Sequence, residues 1–187
     1  VNALLVRLRG MFAFVIWDKT EKKLFGARDS FGIKPFYYYH ANGEFFFGSE
    51  IKSFLSYPEF HRELNEDRIP EYLSYEYLPD TETLFKNVYK LPGAHCFTYQ
   101  SGNLSVERYY RIEYKIDESK TLEAWEDEIQ QEFSQSVAMH QISDVEVGCF
   151  LSSGVDSSYV VNEIAKGTKK VKTFSVGYEE EQYSELS

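Results

Sequence analysis

At 187 residues the chain is long enough for one ordinary domain or two small or incomplete ones. Its 43% apolar and 17% aromatic residues supply a packed core and exclude disorder throughout, and a formal net charge of −10 argues against a nucleic-acid surface, which needs clustered Lys and Arg. No apolar run approaches the roughly 20 residues that span a bilayer and no signal peptide is visible, so a soluble, cytoplasmic protein engaging neither membrane nor nucleic acid is expected.

Cys96 and Cys149 lie far apart within apolar runs and read as reduced core residues, not as a disulfide or a metal pair. The chain opens without methionine in what reads as the tail of a helix, with Leu4, Leu5 and Leu8 on one face and Gly10 as its stop. It ends soon after a predicted strand, as a piece of a longer protein would.

Residues 11–17 form an apolar run too short for a typical helix, 18–23 a turn and 24–28 a returning strand, a hairpin with at least one strand buried on both faces. Residues 36–39 and 44–47 flank Ala41-Asn42-Gly43, and Asn-Gly supplies the positive φ angles of a tight hairpin turn. These four aromatic-rich strands predict one antiparallel sheet, with a short helix over 49–55 packed after it. A helix around 69–77 follows, then connecting segments that include Asp80. Residues 88–91 lead through Pro92-Gly93 into a third hairpin, 95–99 and 105–109, around Ser101-Gly102-Asn103. His95 has no second ligand at metal spacing and reads as structural.

A polar stretch over 113–120 separates two apolar patterns as a linker would, giving domains over 1–112 and 121–187. A helix starting near Thr121 carries Leu122, Trp125, Ile129, Phe133 and Val137 on one face, the stripe of a helix docking on a sheet. Glu123, Glu126, Asp127 and Glu128 crowd its first turns and read as a solvated face.

The most informative stretch comes next. A strand over 145–151, expected to be buried, runs into a break of small and polar residues with one valine among them, after which helical periodicity predicts a helix over 157–165. A strand over 171–176 follows, so the unit reads as strand, loop, helix and parallel strand, with the loop at the strands' carboxyl ends, where open α/β sheets bind ligands. Such a bend leaves N–H groups free at a helix start, where the dipole favours negative charge, so it can cradle a pyrophosphate. Phe150, Leu151, Ser152, Ser153, Gly154, Val155, Asp156 and Ser157 form the candidate nucleotide site, with Val176 at the end of the second strand touching the same nucleotide. The hydroxyls of Ser152, Ser153, Ser157 and Ser158 add donors, Gly154 lets backbone approach the phosphates, and Asp156 is the candidate ligand for a metal ion that bridges phosphate oxygens. Serine, aspartate and glycine are equally ordinary N-cap and turn residues, and no Walker lysine follows, which disfavours a P-loop kinase or GTPase.

The run Leu151-Ser152-Ser153-Gly154-Val155-Asp156-Ser157-Ser158 resembles the SGGxDS pyrophosphate loop of ATP-pyrophosphatase domains, and 143–148 and 172–177 resemble its flanks in glutamine-hydrolysing asparagine synthetases. Where that family usually has glycine this chain has Ser153, which demands an allowed backbone angle and adds a side chain near the phosphates. Leu8-Arg9-Gly10-Met11-Phe12-Ala13-Phe14, Trp17-Asp18, Gly26-Ala27-Arg28-Asp29, Phe31-Gly32-Ile33-Lys34-Pro35 and Gly48-Ser49-Glu50-Ile51-Lys52-Ser53 resemble the same family in the same order.

The resemblance implies an α+β N-terminal-nucleophile glutaminase part built of antiparallel sheets, followed by the start of an α/β ATP-pyrophosphatase domain of the adenine nucleotide α-hydrolase type. It implies ATP and Mg²⁺ as cofactors, L-aspartate and L-glutamine as substrates, a β-aspartyl-AMP intermediate, and a homodimer as one possible assembly. The family's nucleophile is a cysteine at the mature amino terminus, which neither Cys96 nor Cys149 matches, and its aspartate-binding and base residues belong beyond Ser187. No catalytic residue is therefore assigned, and the fragment alone is expected to be inactive. Arg28, Asp29 and Lys34 line the ammonia route or domain interface, or else form a plain ion pair fixing a turn. Three alternatives remain open at this stage: a β-lactam-synthetase-like relative, a peptide-modifying amidotransferase, and a non-catalytic nucleotide-binding module.

Overall fold

A computed structural model describes residues 2–79, 81–167 and 170–178, so Asp80 and the final stretch 179–187 of the second predicted domain lie outside the described residues. The chain divides into two compact units, Val1–Tyr114 and Lys115–Ser187.

The first unit is two stacked antiparallel sheets. Strands β1 (Ala13–Asp18) and β2 (Lys23–Arg28) form one hairpin, and β3 (Tyr37–Ala41) and β4 (Glu44–Gly48) another, closed by Asn42 and Gly43 at φ 54° and 79°. The prediction of a single four-stranded sheet is corrected. Each hairpin takes its further strands from later in the chain, giving the orders β1-β2-β6-β7 and β4-β3-β5, where β5 is Val88–Lys90, β6 His95–Gln100 and β7 Asn103–Arg108. The edge of β2 is occupied by β6, with Ala27 opposite Cys96, and the edge of β3 by β5, with Tyr39 opposite Val88. The hairpins therefore stack face to face instead of joining edge to edge.

Period-two alternation explains why so many aromatics are usable here. Tyr38 points between the sheets with Phe36, Leu91 and Phe97, while Tyr39 points the other way onto Phe54, Phe60 and Val88. Phe45 stacks on Tyr99 at 4.4 Å between ring centroids and meets Phe97 at 5.5 Å, joining the two inner faces. The Phe97 ring lies across β2 at Gly26, where any Cβ would overlap it. A 3₁₀ helix, Ile51–Ser56, covers the outer face of the β3 sheet through Phe54.

On the outer face of the other sheet lies α1 (Asn2–Leu5), with Leu5 buried against Ala27 and Cys96. The predicted three-leucine face is corrected: the helix ends at Leu5, well before Gly10, and Leu4 and Leu8 are exposed. Helix α2 (Ile69–Tyr75) stops two residues short of expectation because Glu76 turns left-handed at φ 63°. His95 is half-buried with Nδ1 2.7 Å from the Gly93 carbonyl oxygen, a structural contact.

In the second unit α3 (Leu122–His140) begins at Thr121, whose Oγ accepts the Ala124 N–H at 3.3 Å. The acids of its first turns are exposed. Strands β8 (Gly148–Phe150) and β9 (Lys172–Phe174) pair in parallel around α4 (Val155–Gly167). The parallel crossover matches expectation, but two other predictions are corrected. Strand β8 is not buried: Phe150 is 85% exposed and Cys149 only half-buried. The α3 stripe meets a helix, with Phe133 4.6 Å from Tyr159 of α4, while Leu122 and Ile129 stay exposed. The dimensions explain this, since 19 residues of helix run about 28 Å and three residues of strand about 10 Å, too short a platform for the stripe. No helix among the described residues is long and apolar enough to cross a membrane.

Candidate functional site

The bend between β8 and α4 is built from strand register outward. Phe150 lies opposite Phe174, so the next residue, Leu151, donates its N–H to the Phe174 carbonyl at 2.9 Å, and the Ser175 hydroxyl donates to the Leu151 carbonyl at 2.6 Å. These bonds pin the last point of β8 beside the end of β9. The chain then reverses over Ser152, Ser153 and Gly154, and α4 starts at Val155, two residues earlier than the sequence predicts. Val155, Asp156 and Ser157 are therefore first-turn residues whose N–H groups have no intrahelical carbonyl to meet.

Serine side chains shape the turn. The Ser157 Oγ accepts the Ser152 N–H at 3.2 Å, lies 2.9 Å from the Ser152 Oγ, and has the Ser152 and Gly154 carbonyls each at 3.1 Å for its single proton. The Ser152 Oγ accepts the Gly154 N–H at 3.2 Å, and the Ser158 Oγ donates to the Gly154 carbonyl at 2.9 Å. The amides of Ser152 and Gly154 are thus occupied from within. Those of Ser153, Val155, Asp156 and Ser157 meet no acceptor among the described residues.

The structure accordingly brings together Leu151, Ser152, Ser153, Gly154, Val155, Asp156 and Ser157, with Phe150 exposed on the strand beside them and Val176 exposed two residues past β9. It also redistributes the roles assigned from sequence. Ser152, Ser157 and Ser158 spend their hydroxyls holding the bend. Gly154 needs no left-handed angle, and a Cβ there would stand 3.2 Å from the Ser152 Oγ. Ser175 was missed; its place one residue past Phe174, level with Leu151, was readable from a parallel register.

Asp156 is exposed at the α4 amino terminus, where the dipole suits an anion. No group of three or more His, Cys, Asp or Glu side chains among the described residues is arranged to hold a metal ion.

The charged residues of the first unit have a different use. Arg28 gives Nε to the Lys34 carbonyl at 2.6 Å and its terminal nitrogens to the Leu91 and Gly32 carbonyls at 2.5 Å. Asp29, 1% exposed, accepts N–H groups from Phe12, Phe31, Ile33 and Lys34 at 3.0 to 3.3 Å. Burial pushes the Asp29 carboxyl up, but the amides of Lys34, Ile33, Phe31 and Phe12 outweigh it and hold it below the usual aspartate range. Burial likewise lowers the Arg28 guanidinium, against the pull of Asp29. Both residues clamp backbone over 29–35, the crossing from one sheet to the other.

Cys96 is 3% exposed, and burial followed by Glu107 pushes its thiol up, the reverse of what a nucleophile needs. It lines the floor of a cavity of about 420 Å³ with Phe25 and Thr98 on the α1 side of the sheet.

A family model described as glutamine amidotransferase domain matches residues 2–110. This chain belongs to that family. Beyond the amidotransferase region, a second family model, described as asparagine synthase, matches residues 128–187. Asparagine synthetase [glutamine-hydrolyzing] 1 of Bacillus subtilis is 38% identical over 184 residues, covering 96% of this chain and 28% of the relative. Asparagine synthetase [glutamine-hydrolyzing] 3 of the same organism is 33% identical over 183 residues, 92% of this chain and 29% of the relative. Amidase chry2 of Gibberella zeae is 33% identical over 174 residues, 87% of this chain and 25% of the relative. The chain thus spans well under half the length of the curated relatives it matches.

Proposed function

We propose that the protein carrying this chain is a glutamine-hydrolysing asparagine synthetase, transferring ammonia from L-glutamine to the β-carboxylate of L-aspartate in the cytoplasm at the expense of ATP. The observation that carries this reading is continuity: likeness to two synthetases runs through both units, and the two family matches follow one another in chain order. A glutaminase alone would not account for the second match.

In this reading the bend after β8 holds the polyphosphate of ATP. Bound there, ATP supplies the AMP group that converts a carboxylate oxygen into a good leaving group. The open amides of Ser153, Val155, Asp156 and Ser157 donate to phosphate oxygens, with the α4 dipole behind them. Asp156 would hold Mg²⁺, whose charge would offset that of the phosphate groups. Ser157, with Ser152, keeps the bend in shape, and Ser175 ties it to β9. Phe150, Leu151 and Val176 flank the nucleotide. No residue of this chain is proposed as the glutaminase nucleophile.

An amidotransferase with a different acceptor is the second reading, favoured by the likeness to amidase chry2 over both units. One assay on the full-length protein separates them. Glutamine- and aspartate-dependent release of AMP and pyrophosphate, with asparagine in equal amount, is expected, and Asp156→Ala should lower kcat/KM on the order of a hundredfold. Nucleotide turnover that ignores aspartate would favour the second reading; no turnover with any acceptor, and no ATP binding, would remove both.

A further inference from the structure

The stretch that joins the two units in the chain carries a period-two pattern that the fold leaves unused. Tyr110, Ile112, Tyr114 and Ile116 interleave with Arg111, Glu113, Lys115 and Asp117, as in a strand with one apolar and one charged face. Residues 109–117 nevertheless belong to no helix, strand or turn. Their apolar side chains face solvent, Tyr110 at 38% exposure, Ile112 at 52%, Tyr114 at 90% and Ile116 at 89%. The N–H groups of Arg111, Ile112, Tyr114 and Ile116 meet no acceptor among the described residues. No glycine, proline or left-handed residue interrupts the run, so all of it is free to take strand geometry.

We infer that residues 111–117 are a self-association strand, pairing antiparallel with the same residues of a second copy of this chain about a two-fold axis at Tyr114. Charge selects both the partner and the register. The signs alternate along Arg111, Glu113, Lys115 and Asp117, so an axis at Tyr114 sets Arg111 opposite Asp117 and Glu113 opposite Lys115, each pair occurring twice. On the other face Ile112 meets Ile116, and Tyr114 meets its own copy. Moving the axis to Glu113 sets that residue against itself and Arg111 against Lys115; moving it to Lys115 sets that residue against itself and Glu113 against Asp117. An axis between two residues puts apolar side chains opposite charged ones, and a parallel in-register pair stacks every charge on its own kind. Asp117 accepts the Ser119 N–H and hydroxyl on Oδ1 at 3.0 and 2.5 Å, leaving Oδ2 for the Arg111 guanidinium. Two strands by themselves are marginal in water, so the association depends on protein concentration.

Sedimentation equilibrium on the full-length protein tests this. Wild type should self-associate, Glu113→Lys and Lys115→Glu should each weaken that association about tenfold or more by facing like charges twice, and the double charge swap should restore it. An equimolar mixture of the two single variants should associate as wild type does, because each supplies the charge that the other now needs. Tyr114→Cys, on the axis, should cross-link to itself above the wild-type background when oxidised with diamide, whereas Ile112→Cys should cross-link only when mixed with Ile116→Cys. Wild type that stays monomeric, or self-association indifferent to both charge reversals, overturns the inference. So does a double swap or a mixture that fails to recover association. Tyr114→Cys that does not cross-link would mean that something other than a second copy covers the strand, and also overturns it.

Discussion

The clamp around Asp29 and the bend around Ser153 are both tight, polar turns rich in backbone donors, yet they handle those donors in opposite ways. At the clamp, one buried carboxylate takes four amides and one guanidinium takes three carbonyls, so the polar groups are consumed by the fold. At the bend, side chains take two amides and leave four facing no protein acceptor among the described residues. The first arrangement spends hydrogen bonds on stability, and the second leaves donors open, as the proposed polyphosphate site requires. Charge beside glycine is therefore a poor guide to function; whether the chain satisfies its own donors is a better one.

The contrast breaks most visibly in stability. Phe97→Ala, in the sandwich between the sheets, should cost the first unit about 3–5 kcal/mol by chemical denaturation. Asp29→Ala leaves four amides without their acceptor and should cost at least about 3 kcal/mol, given ~1–3 kcal/mol for each buried donor left unsatisfied. Since the Asp29 carboxyl is held below its ordinary value in the fold, its contribution is complete above the unfolded-state pKa and is lost as pH falls through the folded value. Asp29→Asn should accordingly flatten the acid limb of a stability-against-pH curve below about pH 4 and leave its neutral-to-alkaline shape unchanged.

Substitutions at the bend should do the reverse. Ser157→Ala removes the hydroxyl that holds the Ser152 amide, and should weaken pyrophosphate binding about threefold with no change in the melting of the first unit. The smallest effect belongs to Phe150→Ala: at 85% exposure the ring should be worth no more than about 0.5 kcal/mol of stability, so a nucleotide affinity change larger than its stability change would mark it as a ligand contact.

The sequence was most legible where local chemistry decides the outcome. Asn42-Gly43 and Ser101-Gly102 announced their hairpins, and Thr121 its helix, because turn angles and caps depend on a few adjacent residues. The β-loop-α-β order was equally plain, since the period changes from strand to helix across Ser152–Gly154. What periodicity could not tell was which hairpin edge meets which later strand. Tyr37, Tyr38 and Tyr39 look alike in sequence, and only the pairing of β3 with β5 and the stacking of β4 on β6 decides which faces which core. Residue types also misled where one side chain can serve several roles. Four serines suggested four ligand donors, but three bond within the loop, and Arg28 and Asp29, expected as an ion pair if not at an interface, each bond mainly to backbone.

The open amides after β8 are proposed to receive the polyphosphate of a nucleotide, and the amide NMR spectrum tests this most directly. Adding magnesium pyrophosphate should shift the resonances of Ser153, Val155, Asp156 and Ser157 strongly, those of Ser152 and Gly154 less, and those of Phe31, Ile33 and Lys34 not at all. If the four bend resonances stay in place at saturating pyrophosphate, or move no more than those of the Asp29 clamp, the account is contradicted.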